Sequence, residues 1–167
     1  SAVELKSSVT ISSGNGDIDF ASTINSETGN FFGLTVNSSG QTSFEGAVGT
    51  AANQALGFLV TDASGTTELS SNITVAGELE FGDAITIVNN ITLTGTDTDT
   101  DSEGIDFGAT VDGAGNDLTI TGGAGFAAAV SNIRNLTADH IDSESTINAN
   151  TVSVTGTTDL GGDVTTT

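Results

Sequence analysis

Apolar residues recur along the whole chain in short runs that are separated by turn residues. The clearest unit spans Gly104 to Gly122, where apolar stretches at Ile105–Val111 and Leu118–Thr121 flank a Gly/Asn/Asp turn. Alternation of apolar and polar residues over about four to eight positions predicts a half-buried β-strand. The pattern therefore predicts two short strands in this unit, and weaker copies of it recur along the chain.

A Phe or Leu followed four positions later by an aliphatic residue marks each copy. Residues four apart in one strand share a face, so each pair is expected to enter one core. The residue midway between them is Ser, Gly or Ala except at Asp83, and we expect small residues where the walls of a narrow interior come close. The pairs are Phe20/Ile24, Phe44/Val48, Leu69/Ile73, Phe81/Ile85, Phe107/Val111, Phe126/Val130 and Leu160/Val164.

The spacing of these anchors indicates a repeat. The first members of the pairs stand at positions 20, 44, 69, 81, 107, 126 and 160, so three intervals are 24, 25 and 26 and the others are 12, 19 and 34. The sequence therefore predicts an all-β protein, a parallel β-helix (β-solenoid) of degenerate repeats of roughly 24 residues, a period typical of solenoids. It is predicted to form a single domain over 1–167. A β-sandwich is the alternative, although it would need hairpin turns, for which the chain has few signals.

The first residues alternate strictly between apolar and polar positions. Val3, Leu5, Val9 and Ile11 fall on one face, which predicts a single strand within 1–13 that acts as a donor or edge strand. Neither terminal segment looks like a cap. A solenoid with uncapped ends is expected to stack end to end or to receive a strand from a neighbour.

Two segments depart from the repeat. Thr50 to Leu56 predicts one helical turn. Gly125 to Leu136 has a spacing that fits either a short helix or a strand followed by a corner. We favour the strand, because Phe126 and Val130 also fit the repeat.

Charge narrows the range of partners. Lys6 and Arg134 are the only basic residues against 22 Asp and Glu, and the net charge is −20 at pH 7. Such a field repels phosphate backbones and anionic membranes, so we expect no nucleic acid partner. No stretch approaches the roughly 20 apolar residues that cross a bilayer, so no membrane insertion is expected. The expected partners are cations or other copies of the chain, whose association would need salt or divalent cations to screen the repulsion.

The sharpest candidate site is an acidic run that directly precedes Gly104. Asp97, Asp99, Asp101 and Glu103 alternate with polar residues. Clustered carboxylates are the hard oxygen ligands that calcium prefers, so we predict calcium as the one cofactor, bound by these four residues. The position of the glycine excludes an EF-hand. A solvated acidic loop without a metal is the alternative.

Other candidate chemistry is weaker. His140, with Asp139 and Asp142 nearby, fits a surface residue better than a metal ligand or general base, and nucleophilic catalysis needs more than one histidine can supply. We therefore expect that the protein is not an enzyme. Threonines alternate from Thr92 to Thr100, as on an ice-binding face, but such a face needs aligned Thr pairs on successive coils, which the sequence does not show.

The motif Phe44-Glu45-Gly46-Ala47-Val48-Gly49, the Leu-Thr-Val/Ile runs and Gly104-Ile105-Asp106-Phe107-Gly108 resemble the repeats of large bacterial surface proteins. These are the β-strand-repeat and filamentous-haemagglutinin-like adhesins and matrix proteins. The resemblance implies a parallel β-helix, export to the extracellular cell surface and an adhesive or matrix-building role, with no catalytic residues to transfer. We therefore expect a secreted structural protein of a cell-surface or biofilm-matrix filament that associates with itself. A segment of an adhesin that binds a carbohydrate or a receptor is the alternative.

Overall fold

The chain is built from short β-strands. The computed structural model describes residues 1–96 and 103–167, and no helix occurs in these two ranges, so none there is long or apolar enough to cross a membrane. Most strands have three or four residues and the longest has nine. The strands are β1 Val3–Leu5, β2 Val9–Gly14, β3 Ile18–Phe20, β4 Ile24–Ser26, β5 Leu34–Ser38, β6 Gln41–Phe44, β7 Leu59–Thr61, β8 Thr66–Leu69, β9 Ile73–Thr74, β10 Leu79–Phe81, β11 Ala84–Ile87, β12 Ile91–Thr94, β13 Ile105–Phe107, β14 Val111–Asp112, β15 Leu118–Thr121, β16 Gly123–Phe126, β17 Val130–Ala138, β18 His140–Ser143, β19 Ile147–Val154, β20 Thr158–Leu160 and β21 Val164–Thr166.

Every strand pairing in the described ranges is parallel. Sheet 1 has eight strands in the order β2-β5-β7-β10-β13-β16-β18-β20. Sheet 2 has eleven, with the path β3-β6-β8-β11-β14-β17-β15-β12-β9, with β19 beside β17 and with β21 beside β19. The long strand β17 joins the two halves of sheet 2, because Val130 pairs with β14 whereas Leu136 pairs with β15. A further two-stranded sheet contains β1 and β4.

Within the described ranges, the chain passes through sheet 1 eight times, and each pass after the first pairs with the pass before it. The first two pairings join Val9 to Leu34 and Leu34 to Leu59, so the step in residue number is 25 in each. The last two join Ala124 to Ile141 and Ile141 to Thr158, and the step there has fallen to 17. The three steps between them, from Leu59 to Leu79, then to Ile105 and then to Ala124, are 20, 26 and 19 residues. The step therefore varies along the chain, and a repeat of roughly 24 residues is not confirmed. Long parallel sheets formed in this way are compatible with a β-solenoid, and the antiparallel hairpins of a sandwich do not occur in the described ranges.

The Phe-x-x-x-aliphatic motif is a corner and not one continuous strand. Phe107 is the last residue of β13 and Val111 is the first of β14, and the segment between them turns the chain from sheet 1 to sheet 2. The predicted strand Ile105–Val111 was wrong in this respect, whereas Leu118–Thr121 is confirmed as β15. Both anchors are nevertheless buried, because a corner also turns their side chains inward.

The anchors form two separate inward columns. In sheet 2, Phe20 pairs with Phe44, which pairs with Leu69. In sheet 1, Phe81 pairs with Phe107, which pairs with Phe126. The short interval from Leu69 to Phe81 is therefore a step from one sheet to the other.

The long interval from Phe126 to Leu160 consists of two passes. Ser143 occupies the intermediate position, paired with Phe126 on one side and with Leu160 on the other. The interval contains no long excursion. The intermediate pass was not recognised in the sequence, because Ser143 stands where the pattern predicts Phe or Leu.

Crowding between stacked corners explains the small residues at the middle of the motif. A Cβ atom added at Gly46 would lie 2.2 Å from the backbone carbon of Ser22, the middle residue of the preceding corner. One added at Gly162 would lie 2.3 Å from the carbonyl oxygen of Ser145. The neighbour is thus the backbone of the adjacent pass, and not the opposite wall of a narrow interior as the sequence suggested.

Two local predictions also change. Residues 1–13 hold β1 and most of β2, which belong to different sheets, so the single strand predicted there was wrong. The interruption falls at Lys6–Ser8, and each of the two strands pairs on one side only. No helical turn forms at Thr50–Leu56, whereas the strand interpretation of Gly125–Leu136 is confirmed by β16 and β17.

Candidate functional site

A column of carboxylates follows the outward surface of sheet 1. Glu80 pairs with Asp106, which pairs with Gly125, and Gly125 pairs with Asp142, which pairs with Asp159. Successive side chains in a strand point to opposite faces, so the inward neighbours of each acid fix its carboxylate on the solvent side. Adjacent strands are about 4.8 Å apart. Glu80 therefore lies next to Asp106 and Asp142 next to Asp159, with Gly125 between the two pairs of carboxylates.

The column widens into an acidic cleft at the pass that contains Gly125. Glu103, Asp106, Asp142 and Glu144 line a cavity of about 160 Å³. A Cβ added at Gly125 would lie 2.8 Å from Oε2 of Glu103 and 2.9 Å from Oδ1 of Asp106. The absence of a side chain at Gly125 therefore leaves the space that these two carboxylates occupy.

Sequence reasoning missed most of this column, although its signal was present. Each acid stands between two inward residues of a short strand, as in Leu79-Glu80-Phe81 and Ile105-Asp106-Phe107. The same arrangement places Asp142 in β18 and Asp159 in β20. Only the pairing register shows that these acids belong to one column.

The predicted calcium ligands are only partly covered by the structure. Asp97, Asp99 and Asp101 lie outside the described residues, and Glu103 is half-buried at the acidic cleft. Across 1–96 and 103–167, no group of three or more Asp, Glu or His side chains is arranged to hold a metal ion. Calcium binding therefore stays a prediction.

Asp83 is the one buried carboxylate of the described ranges. Its side chain is 3% exposed and lies at the corner between β10 and β11. The hydroxyl of Thr61 donates to Oδ1 at 3.0 Å, and that of Thr67 donates to Oδ2 at 2.9 Å. Burial raises the pKa of Asp83 because the ionised form loses its hydration, and the two hydroxyl donors oppose the shift.

Both basic residues are engaged in ion pairs at the surface. The Lys6 ammonium lies 2.8 Å from Glu4 and 3.0 Å from Glu27, and these hydrogen bonds raise the pKa of Lys6. The Arg134 guanidinium donates two hydrogen bonds to Asp117, of 2.7 Å from Nε and 2.6 Å from Nη2. This bidentate pair lowers the pKa of Asp117.

His140 is half-buried at the start of β18, where its Nδ1 contacts the hydroxyl of Thr157 on the next pass. Gly123 is its partner on the preceding pass. This is the environment of a surface side chain between two strands, and the prediction that the protein is not an enzyme stays a prediction.

Comparison of the chain with protein-family models, with curated proteins and with solved structures gives no match.

Proposed function

We propose that this protein is a β-solenoid that serves as a secreted structural segment of a cell-surface or matrix filament and that associates end to end with copies of itself. The observation that carries the proposal is the state of the terminal strands. At one end β2 and β3 pair on one side only, and at the other end β20 and β21 do the same. An unpaired edge presents a row of backbone donors and acceptors that another strand can satisfy.

Apolar side chains accompany these open edges. Leu160 is 45% exposed and Val164 is 38% exposed, although the aliphatic and aromatic anchors of the inner passes are buried. At the opposite end Ile11 and Ile18 are only partly buried. Contact between the two ends would remove this apolar surface from water, which favours association.

The register of the two ends is complementary within the strands. If β2 of a second copy continued sheet 1 beyond β20, Leu160 would meet Ile11 and Asp159 would meet Thr10. If β3 of that copy continued sheet 2 beyond β21, Thr165 would meet Asp19. Each carboxylate of these strands would then face a threonine, and opposed like charges in paired strands are destabilising.

The residues that flank the strands set a condition on this contact. Asp163 precedes β21 and Asp17 precedes β3, so the same register would make these two carboxylates neighbours. Their repulsion adds to that of two chains with a net charge of −20 each. Association is therefore expected to require salt or a divalent cation.

Electron microscopy and sedimentation velocity at increasing NaCl concentration test the proposal. We expect filaments or oligomers that grow with salt, because screening reduces the repulsion between copies. Leu160→Asp should abolish association by placing a charge in the junction. Thr35→Asp adds the same charge on the outward face of the inner strand β5 and should not abolish it. Dispersed monomers at every salt concentration would contradict the proposal.

A glycan- or receptor-binding segment of an adhesin is the second candidate. It is supported by two exposed aromatic side chains, Phe31 at 61% and Phe58 at 36%. The Phe58 ring lies over Gly33, where an added Cβ would be 2.2 Å from it. Glycan-array binding by the chain that is lost in Phe31→Ala and Phe58→Ala would favour this candidate over the filament.

A further inference from the structure

Threonines form a two-dimensional array on the outward surface of sheet 2. Thr92 and Thr94 of β12 pair with Thr119 and Thr121 of β15, so two Thr-x-Thr units lie side by side. The first column continues from Thr119 to Thr137 of β17, and the second begins at Thr74 of β9. The threonine lattice is defined here as Thr74, Thr92, Thr94, Thr119, Thr121 and Thr137.

The spacing of the lattice is set by the backbone. Neighbouring strands are about 4.8 Å apart, and alternate residues of one strand are about 6.7 Å apart. The inward residues between the threonines, Leu93 and Ile120, are 0% and 2% exposed. Because these side chains are locked in the core, the register cannot slip without exposing them.

The lattice threonines lie on the outward surface of sheet 2, where Thr121 is exposed and the other five are half-buried. The six outward positions are also uncharged in a chain of net charge −20, whereas the outward column of sheet 1 carries four carboxylates. This surface is therefore suited to bind a neutral ligand whose hydrogen-bonding groups form a regular lattice.

We propose that the threonine lattice binds the surface of ice crystals. The hydroxyls and methyl groups would hold water molecules at the two strand-defined spacings, which are close to the oxygen spacings on a prism face of ice. Adsorbed protein would then slow the growth of the crystal. The requirement for aligned Thr pairs on successive passes, which the sequence did not show, is met by the pairing of β12 with β15.

The boundaries of the lattice limit its strength. Asp139 follows Ala138 where a threonine would extend the second column, and it accepts a hydrogen bond from Thr155 at 3.0 Å. Asn72 stands at the other end of the first column, where its side chain accepts a hydrogen bond from the backbone of Thr92. A lattice confined to four strands should inhibit ice recrystallisation more clearly than it lowers the freezing temperature.

Ice-recrystallisation assays and thermal hysteresis measurements on the purified chain test the proposal. We expect the wild-type chain to inhibit recrystallisation and Thr119→Lys, in the centre of the lattice, to lose the effect. Thr35→Lys introduces the same side chain on the outward surface of sheet 1 and should retain it. Circular dichroism checks that both variants fold, and if Thr119→Lys does not, the isosteric Thr119→Val replaces it and should weaken inhibition.

Absence of inhibition by the wild-type chain would overturn the proposal, and so would full activity of a folded Thr119→Lys. Binding to a crystalline polysaccharide such as microcrystalline cellulose, in the absence of ice binding, would also overturn it, because the lattice would then recognise a different solid. The proposal is independent of the filament, since the lattice lies on the side of the molecule and not at its ends.

Discussion

Phe107 lies between Phe81 and Phe126 in the inward column of sheet 1. The ring centroids are 5.6 Å apart on one side and 4.8 Å on the other, and the rings are stacked with interplanar angles of 19° and 9°. Stacked aromatic pairs stabilise a protein beyond the area that they bury. Each ring in the middle of such a column supports two neighbouring passes at once.

Replacement of Phe107 by alanine should destabilise the protein by about 3–5 kcal/mol, because the cavity would remove contacts on both sides. Phe31→Ala is the matched control. It removes the same atoms from a side chain that is 61% exposed, and it should change stability by no more than about 0.5 kcal/mol. Chemical denaturation measures the free energy of unfolding of both variants. An equal loss of stability in the two would contradict the prediction that the stacked rings stabilise the core.

Asp83 should make the folded protein less stable as the pH rises. A salt-bridged carboxylate, whose pKa is lowered, has the opposite effect. Its pKa is raised by burial, so the folded state binds this proton more tightly than the unfolded chain does. The stability associated with protonated Asp83 is complete below the pKa of the unfolded chain and is lost as the pH rises through the raised pKa of the folded state.

Asp83→Asn removes this dependence. Its amide oxygen can accept from one of the two threonine hydroxyls, and its NH₂ group can donate to the other. We expect the stability of the variant relative to wild type to increase from acidic to neutral pH in thermal unfolding. Asp19→Asn removes one charge from an exposed position and serves as the control. A constant difference between Asp83→Asn and wild type at all pH values would contradict the prediction.

At the scale of the elements, the corners decide how closely successive passes can stack. Each anchor pair flanks a short segment that turns the chain, and within each of the two anchor columns the corners of adjacent passes stack on one another. Hydrogen bonds between passes fix this geometry, as where the amide of Gly46 donates to the carbonyl of Phe20 at 3.3 Å. The middle of a corner is therefore a position for glycine or a small residue.

Gly46→Ala should destabilise the protein by about 1–3 kcal/mol, the range typical of overpacking, because the new Cβ would meet the backbone of Ser22. Gly16→Ala is the control, since its Cβ would have no atom nearer than 3.7 Å. Thermal unfolding distinguishes the two. Similar unfolding temperatures of the two variants would contradict the prediction, because the stacked corners could then move apart without a loss of stability.

At the scale of the whole molecule, charge is distributed unevenly between the two sheet surfaces. The carboxylates of sheet 1 form a column with an acidic cleft, whereas the threonine lattice of sheet 2 is neutral. Repulsion along the column opposes the stacking of passes, so counterions should stabilise the fold.

Calcium should stabilise the chain more than sodium at the same ionic strength, because closely spaced carboxylates bind a divalent cation as well as being screened by it. The unfolding temperature in CaCl₂ and in NaCl measures this difference. Glu103→Gln should reduce it, because Glu103 is one of the four predicted calcium ligands, while Asp19→Asn should leave it unchanged. Equal unfolding temperatures in the two salts would contradict the prediction of calcium binding.

The sequence by itself determined which residues form most of the core and that the protein is all-β. Short alternating segments, the lack of proline and the regular recurrence of Phe, Ile, Leu and Val are local signals, and they were sufficient to predict β15 with its limits. These local signals could not distinguish a corner from a continuous strand, because in both the side chains of residues four apart point toward the core.

Only the tertiary structure decided which passes are neighbours. The register depends on hydrogen bonds between strands that are distant in sequence, and their unequal spacing along the chain hid it from the sequence. That register gathers Glu80, Asp106, Asp142 and Asp159 into one column and aligns Thr92 with Thr119. Both candidate surfaces therefore arise from the stacking of strands and not from any single motif.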